Sequence, residues 1–229
     1  MYISVPDTSS VTVDLPEHAA SPAPADRLRG VPAAHVGDVF QRMLVLDGEI
    51  RSLTSSTDTV VGRALTVHTR AGDNLAIHMA LDVARPGDIL VINGQGDISR
   101  AVIGDLIGEI MLATGVIGAV VDGAVRDAAA LGEQGLHIYA RATTPAGPFK
   151  HGPGAVGRPV AVGGVSIATG DIIVADADGV AVIPADQVDH ALERLPQIHA
   201  AEERIREAVR LDATATLAST AGPTPLDRQ

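Results

Sequence analysis

The 229-residue sequence predicts an α/β protein with one principal domain, and three observations lead there. Hydrophobic residues make up 46% of the chain but aromatics only 2%, so the core must be Val, Ile, Leu and Ala. β-Branched runs alternate with stretches of helical period along most of the length. Residues 88–123 read as strand, helix and strand in succession, the pattern of a βαβ unit.

Residues 1–27, MYISVPDTSSVTVDLPEHAASPAPADR, are rich in Pro, Ser and Ala and keep no period, which predicts an extended arm. The domain is then 28–211, and 212–229 form a tail of similar composition. VPAAHVGDVFQRML has helical spacing and a start near Pro32, and TVVGRALTVHT (59–69) is β-branched and strand-like. NLAIHMALDVA (74–84) is helical and stops at RPGD, and DILVING (88–94) is a short strand closed by the loop GQGD. AVIGDLIGEIMLATG (101–115) predicts a helix with Gly115 just past its end. Strands follow at VIGAVVDG (116–123) and HIYARAT (137–143), then a hairpin over 171–184 around Asp178-Gly179. The last amphipathic stretch is helical, with Pro196 predicting a kink or break.

Composition also excludes. There is no cysteine, so disulfides, zinc–thiolate sites and cysteine nucleophiles are out. A net charge of −11 and so few aromatics argue against a nucleic-acid partner, which wants a basic stripe and stacking rings. MYISVPDTSS lacks the basic head and apolar run of a signal peptide, and no stretch reaches the ~18 apolar residues of a membrane span. A soluble cytoplasmic protein is expected, with no membrane partner. Of 17 basic residues only Lys150 is a lysine, so imine chemistry would rest on that residue alone.

The chemistry gathers around VVDGAVRDAAAL (120–131). In a right-handed βαβ unit the helix begins at the edge where both strands end, so the start of helix 101–115 should lie beside Arg126 and Asp127. If it opens near Ile103, the amides of Gly104, Asp105, Leu106 and Ile107 are its unpaired donors, and with the positive dipole end they form an anion site. Carboxylates of Asp105 and Asp127, with Asp122 as a third candidate, would share that edge as hard oxygen ligands suited to Mg²⁺ or Mn²⁺. Two readings stand on these residues alone. Asp105 is a helix-start acid and Arg126–Asp127 a surface pair worth ~0–1 kcal/mol, or the three hold a cation and an anionic substrate. His78, mid-helix among apolar residues, reads as a packed histidine, and Asn74 as a helix cap. Lys150 and His151 in PFKHGPG are candidates for a substrate's second carboxylate.

Asp105-x20-Arg126-Asp127 within GDLIGEIMLATGVIGAVVDGAVRDAAAL resembles the signature of the RraA-like family. VVGRALTVHTRAGDNLAIHMALD, RPGDILVINGQGD, YARATTPAGPFKHGPG and GDIIVADADGVAVIP are similar to it as well, and together they cover roughly 30–210. The resemblance implies a compact α/β/α single domain with stacked β-sheets, of the swivelling-domain type, assembled as homotrimers or hexamers with sites between subunits. Its catalytic branch comprises 4-hydroxy-4-methyl-2-oxoglutarate aldolases, class II pyruvate aldolases that also decarboxylate oxaloacetate. Carried over by motif, Asp127 is the direct ligand of Mg²⁺ (or Mn²⁺). Asp105 holds metal-bound water, Arg126 contacts the pyruvyl oxygens, and the backbone of 104–107 cradles the substrate carboxylate. A neighbour's C-terminal helix brings a glutamate, here Glu203 or failing that Glu202. The motif usually carries an acid three residues beyond the aspartate, and this chain has Ala130.

The resemblance thus implies a metal-assisted lyase of 2-oxo acids, with Arg126, Asp105 and Glu203 as the reacting groups. Its other branch, RraA, is a non-catalytic regulator that binds ribonuclease E. That role needs no acid at the helix start and no Arg-Asp pair.

Overall fold

A computed structural model describes residues 7–16, 23–54 and 58–220, side chains being described except at 23, 24 and 212–220. The chain runs through β1 (Val11–Val13), α1 (Ala23–Asp26), α2 (Ala33–Val39), β2 (Arg51–Ser52), β3 (Val60–Thr69), α3 (Leu75–Leu81), β4 (Asp88–Ile103) and α4 (Asp105–Ala113). It continues through β5 (Gly118–Val125), α5 (Ala128–Glu133), β6 (His137–Thr143), β7 (Gly154–Val156), β8 (Val160–Val162) and β9 (Val165–Ile167). The hairpin β10 (Ile172–Asp176) and β11 (Gly179–Ile183) and the long α6 (Val188–Thr220) complete it.

The main sheet has the order β1-β7-β3-β4-β5-β6-β2, with β3, β4, β5 and β6 mutually parallel. One flank of β3 is shared: β10 pairs with its first half and β7 with its last three residues, both antiparallel. β8 and β9 form a separate two-stranded sheet. The central strands are buried on both faces, as near-continuous apolar runs require. Alternation along β4 assigns the faces. Leu90 and Ile92 join the cluster under α3 and α4, while Ile89 and Val91 join the one that includes Val160 and Val162 of β8. A third cluster seals α2 and α6 onto the β10–β11 hairpin through Val36, Val174, Ala181 and Leu195. This is the expected α/β architecture with stacked sheets.

Several elements differ from the sequence reading. β4 does not stop at Gly94 but runs on to Ile103 through register shifts opposite Asn93, Asp97 and Ala101. Gln95 and Gly96 take positive φ (61° and 69°) and turn the chain there, and Ala101 and Ile103 re-pair with Ala124 and Val125. Residues 101–103 are therefore strand rather than first helical turn, as β-branched Val102 and Ile103 prefer. The end of α4 follows expectation. Gly115 has φ 78°, its N–H donates to Leu112 O, and Val116 N–H donates to Met111 O, a Schellman closure.

Within the expected arm, Val11–Val13 pairs in parallel with Gly154–Val156. Pro196 does not break the last helix. Val188, Ala191 and Leu195, at i, i+3 and i+7, are buried against the neighbouring elements, and Ala, Glu and Arg favour helix beyond it. α6 continues past Leu211 to Thr220, so helical backbone enters the stretch read as a tail. No helix among the described residues is long and apolar enough to cross a membrane.

Candidate active site

β4, α4 and β5 converge at one edge of the sheet. Arg126 N–H donates to Ile103 O at 2.9 Å, tying the end of β5 to the end of β4. Gly104 then leads into α4 in an extended conformation (φ −149°). The expected meeting takes place: Asp105 N–H reaches Asp127 Oδ2 at 3.3 Å, and Arg126 Nε stands 3.2 Å from the same oxygen. Twenty-two positions in sequence are one contact in space because β4 and β5 are parallel, so the helix between them starts at the edge where both strands end.

Asp127 holds an uncommon backbone. Its φ of 54° is left-handed, which costs a residue with a Cβ about 1–2 kcal/mol, least for Asp and Asn. It occupies the N-cap position of α5, yet its side chain caps no amide there. The carboxylate is thus turned away from the use an N-cap aspartate normally has. Oδ1 accepts from no described residue, and the side chain is 40% exposed.

Gly104 fits between these groups because it has no side chain. A Cβ at that position would lie 2.7 Å from Arg126 Nε and 2.8 Å from Asp127 Oδ2. Of the first-turn donors of α4, two carry acceptors in this structure. Asp105 Oδ1 accepts Leu106 N–H at 2.8 Å, and Asp127 takes Asp105 N–H. An arriving carboxylate would compete with these side-chain acceptors for the helix start.

Behind the cluster lies a cavity of about 210 Å³ walled by Gly104, Leu106, Ile107 and Arg126, with Asn74, His78, Pro148 and Lys150 also lining it. Asp105 and Asp127 are not among its walls. Its size suits a small acid. Val102, Ile107 and Ile110 make part of the lining apolar, while Arg126 and Lys150 supply positive charge in a chain of net charge −11.

Asn74 sits at the N-cap position of α3 but makes no side-chain cap bond. Its Nδ2 donates to Val102 O at 3.2 Å, and its buried Oδ1 has no hydrogen-bond partner among the described residues. His78, one helical turn later, shares the cavity wall rather than only core packing. Burial, and after it the charge of Lys150, pulls its pKa down to about 4, so the ring is neutral at pH 7. The spacing Asn74–His78 was the signal for this wall, since i and i+4 share a helix face. Pro148 and Val102 join only through the fold.

Other expected members stand elsewhere. Asp122 is turned away from this edge: Oδ1 accepts Arg141 Nε at 2.5 Å and Oδ2 accepts Gly163 N–H at 3.1 Å. Arg141 also engages Asp47 and Glu49, which makes that group a closed network. Glu203 is on α6, ion-paired with Arg206 at 2.7 Å, and its neighbour Glu202 pairs with His35 Nε2 at 3.0 Å and with Arg206. Neither lines the cavity. His151 is exposed and contributes its backbone N–H to Asp73 rather than a side chain to the cavity.

A divalent ion can be tested against this donor set. Among the described residues, no group of three or more His, Asp or Glu side chains converges as a cage. The arrangement instead offers one half-exposed carboxylate, Asp127, with Asp105 beside it, in a recess that a Cβ at Gly104 would fill. That fits a hard cation taking one protein oxygen and completing its shell with water and substrate.

The chain is similar to known proteins over most of its length. The RraA-like family, described as Aldolase/RraA, matches residues 33–182. A protein of Halalkalibacterium halodurans, provisionally named a 4-hydroxy-4-methyl-2-oxoglutarate aldolase, is 39% identical over 183 residues, 80% of this chain and 87% of that one. A crystal structure of an uncharacterized protein from Pseudomonas syringae pv. tomato superposes with TM-score 0.75 at 24% identity, over 91% of this chain and 99% of that one; at that identity it speaks for the fold alone. Streptomyces coelicolor RraAS2, described as an unusual member of the RNase ES inhibitor RraA family, gives TM-score 0.74 at 29% identity over 83% of this chain and 99% of its own. With the match spanning the parallel strands β3–β6 and every residue of the Asp105–Arg126–Asp127 cluster, the chain belongs to the RraA-like family.

Proposed function

We propose that this chain is a divalent-metal-dependent carbon–carbon lyase that releases pyruvate from 2-oxo acids of the 4-hydroxy-4-methyl-2-oxoglutarate type and decarboxylates oxaloacetate. One observation carries the reading: Asp105, Arg126 and Asp127 meet at one strand edge beside a small cavity that also receives Lys150. The provisional aldolase name of the Halalkalibacterium relative supports it.

Cleavage next to the pyruvyl unit leaves the bonding electron pair on C3, delocalised onto the 2-oxo oxygen as an enolate. That developing negative charge is what the site must stabilise. Arg126 presents a planar fork of donors on the cavity wall and is the chain's own group for this task. The first-turn amides of α4 at Leu106 and Ile107 are aligned for the substrate's 1-carboxylate once Asp105 releases Leu106 N–H. A bound Mg²⁺ or Mn²⁺, held by Asp127 with Asp105 reaching it through water, would add Lewis acidity toward the 2-oxo acid. Asp105, beside Asp127 at the helix start, is the carboxylate assigned to take the C4 hydroxyl proton as the C3–C4 bond breaks and to return a proton to C3; oxaloacetate releases CO2 and needs only the second transfer. In the trimer or hexamer that the resemblance implies, Glu203 of a neighbouring copy is the alternative. His78, neutral at pH 7, adds no third positive charge to a cavity already holding Arg126 and Lys150.

The test is a screen of 2-oxo acids with added Mg²⁺ or Mn²⁺, following pyruvate. Oxaloacetate and 4-hydroxy-4-methyl-2-oxoglutarate should be consumed, EDTA should stop the reaction and Mg²⁺ restore it. A protein inert toward every 2-oxo acid under these conditions would lose the lyase reading. The description of the Streptomyces relative favours a second reading, a ribonuclease-binding regulator. On that reading a pull-down with RNase ES would succeed, and Asp127→Ala would leave it unchanged.

A further inference from the structure

The loop that brings Lys150 to the cavity is held by groups with no part in the chemistry above. Asp73 is fully buried at the start of α3. Its Oδ2 accepts His151 N–H at 2.7 Å and Gly152 N–H at 3.0 Å, while Oδ1 accepts Leu75 N–H at 2.9 Å. One carboxylate therefore joins the helix carrying Asn74 and His78 to the loop carrying Lys150. The other flank is fixed as well: Phe149 N–H donates to Gly72 O at 2.8 Å and Asn74 N–H to Phe149 O at 3.0 Å. Lys150 is thus clamped between residues 149 and 151. Farther out, Arg100 Nη1 donates to Gly147 O at 2.8 Å and its guanidinium lies 4.1 Å from the centre of the Phe149 ring.

We propose that Asp73 is a positioning residue: by gripping the backbone at His151 and Gly152 it sets Lys150 on the cavity wall, and so gives the site its preference for 2-oxo acids bearing a second carboxylate. The inference rests on the lyase reading above. A lysine head sits on four flexible methylenes, so its use depends on where the loop holds its Cα. Charge-assisted bonds from a buried carboxylate to three amides are a stiff way to hold it. Misplacement by about 1 Å can cost ~100-fold. Asp73→Asn keeps the volume but turns an NH₂ toward amide donors, which moves the loop without emptying the core.

The experiment compares wild type, Asp73→Asn, Lys150→Ala and Arg100→Met on two substrates of the same retro-aldol reaction. One is 4-hydroxy-4-methyl-2-oxoglutarate; the other is 4-hydroxy-2-oxopentanoate, which lacks the second carboxylate. Amide exchange over residues 147–153 is measured in the same proteins. Asp73→Asn is expected to raise KM for the dicarboxylate tenfold or more with kcat within threefold, to leave the KM of the monocarboxylate within twofold, and to speed exchange over 147–153. Lys150→Ala should give the same KM pattern without faster exchange. Arg100→Met, which loosens the loop from the surface, should give a milder version of both and serves where Asp73→Asn does not fold. Equal KM changes for both substrates, a loss confined to kcat, or unchanged exchange would overturn the inference while leaving the lyase reading intact. A wild type that cleaves neither substrate would sink the lyase reading and the inference together.

Discussion

Arg63–Asp88 and Arg126–Asp127 are both arginine–aspartate pairs on the central parallel strands or just past their ends, yet the surroundings make them opposites. Arg63 and Asp88 have side chains only 6% and 2% exposed and meet at 2.6 and 2.8 Å, and the second oxygen of Asp88 accepts Arg85 N–H. Such a pair is spent: the acceptor is full, and breaking it strands a buried charge. Arg126 and Asp127 are 38% and 40% exposed, meet at 3.2 Å, and leave Asp127 Oδ1 without a described partner. A loose, half-wet pair contributes little to stability and keeps lone pairs for a ligand. The same two side-chain types make a structural lock in one place and a candidate catalytic pair in the other.

Single substitutions can break that contrast. Asp127→Ala should lower oxaloacetate decarboxylation about 10³-fold with added Mg²⁺, yet leave the thermal midpoint within a couple of degrees, as read by pyruvate assay and calorimetry. Asp88→Ala should do the reverse, costing about 3–5 kcal/mol in urea denaturation while the protein that remains folded keeps its kcat. Gly104→Ala sharpens the comparison from the site's side. The added Cβ would press on Arg126 Nε and Asp127 Oδ2, and a loss of roughly 100-fold in kcat/KM is expected with little change in unfolding.

The smallest effect is one of pH. His78 is neutral in the folded chain down to about pH 4, whereas the unfolded chain takes up that proton near the ordinary imidazole value of 6.5. Stability contributed at this position should be constant above about pH 6.5 and fall as pH drops toward 4. In urea titrations, His78→Gln should therefore lose less stability than wild type over that window. A steeper loss in the variant would mean that the imidazole is protonated in place.

How much of this was legible in the sequence depends on range. β3, α3, β5 and β6 follow from local period, and Gly115 ends α4 because a left-handed residue is needed there. The convergence of Asp105 with Arg126–Asp127 was legible too, since two parallel strands joined through a helix end at the edge where that helix begins. The true start of α4 was not. Ala101–Ile103 have a pattern that serves a helix or a strand, and only their pairing with Ala124 and Val125 decides. Asp122 had the same appearance as Asp127. Arg141, nineteen residues downstream on the neighbouring strand, takes it out of the site. Pro196 predicted a break, but packing of Val188, Ala191 and Leu195 holds the helix through it.

The alternation of strands and helices, the aliphatic core and the edge at which two acids and an arginine gather can all be read from the order of residues, because periodicity is local and a βαβ unit has parallel strands. Only the tertiary structure decided which aspartate remains open, that Asn74, His78 and Lys150 line the cavity, and that Asp73 ties their two segments together. Those outcomes depend on exposure and on partners far away in the chain, and no residue type carries that information alone.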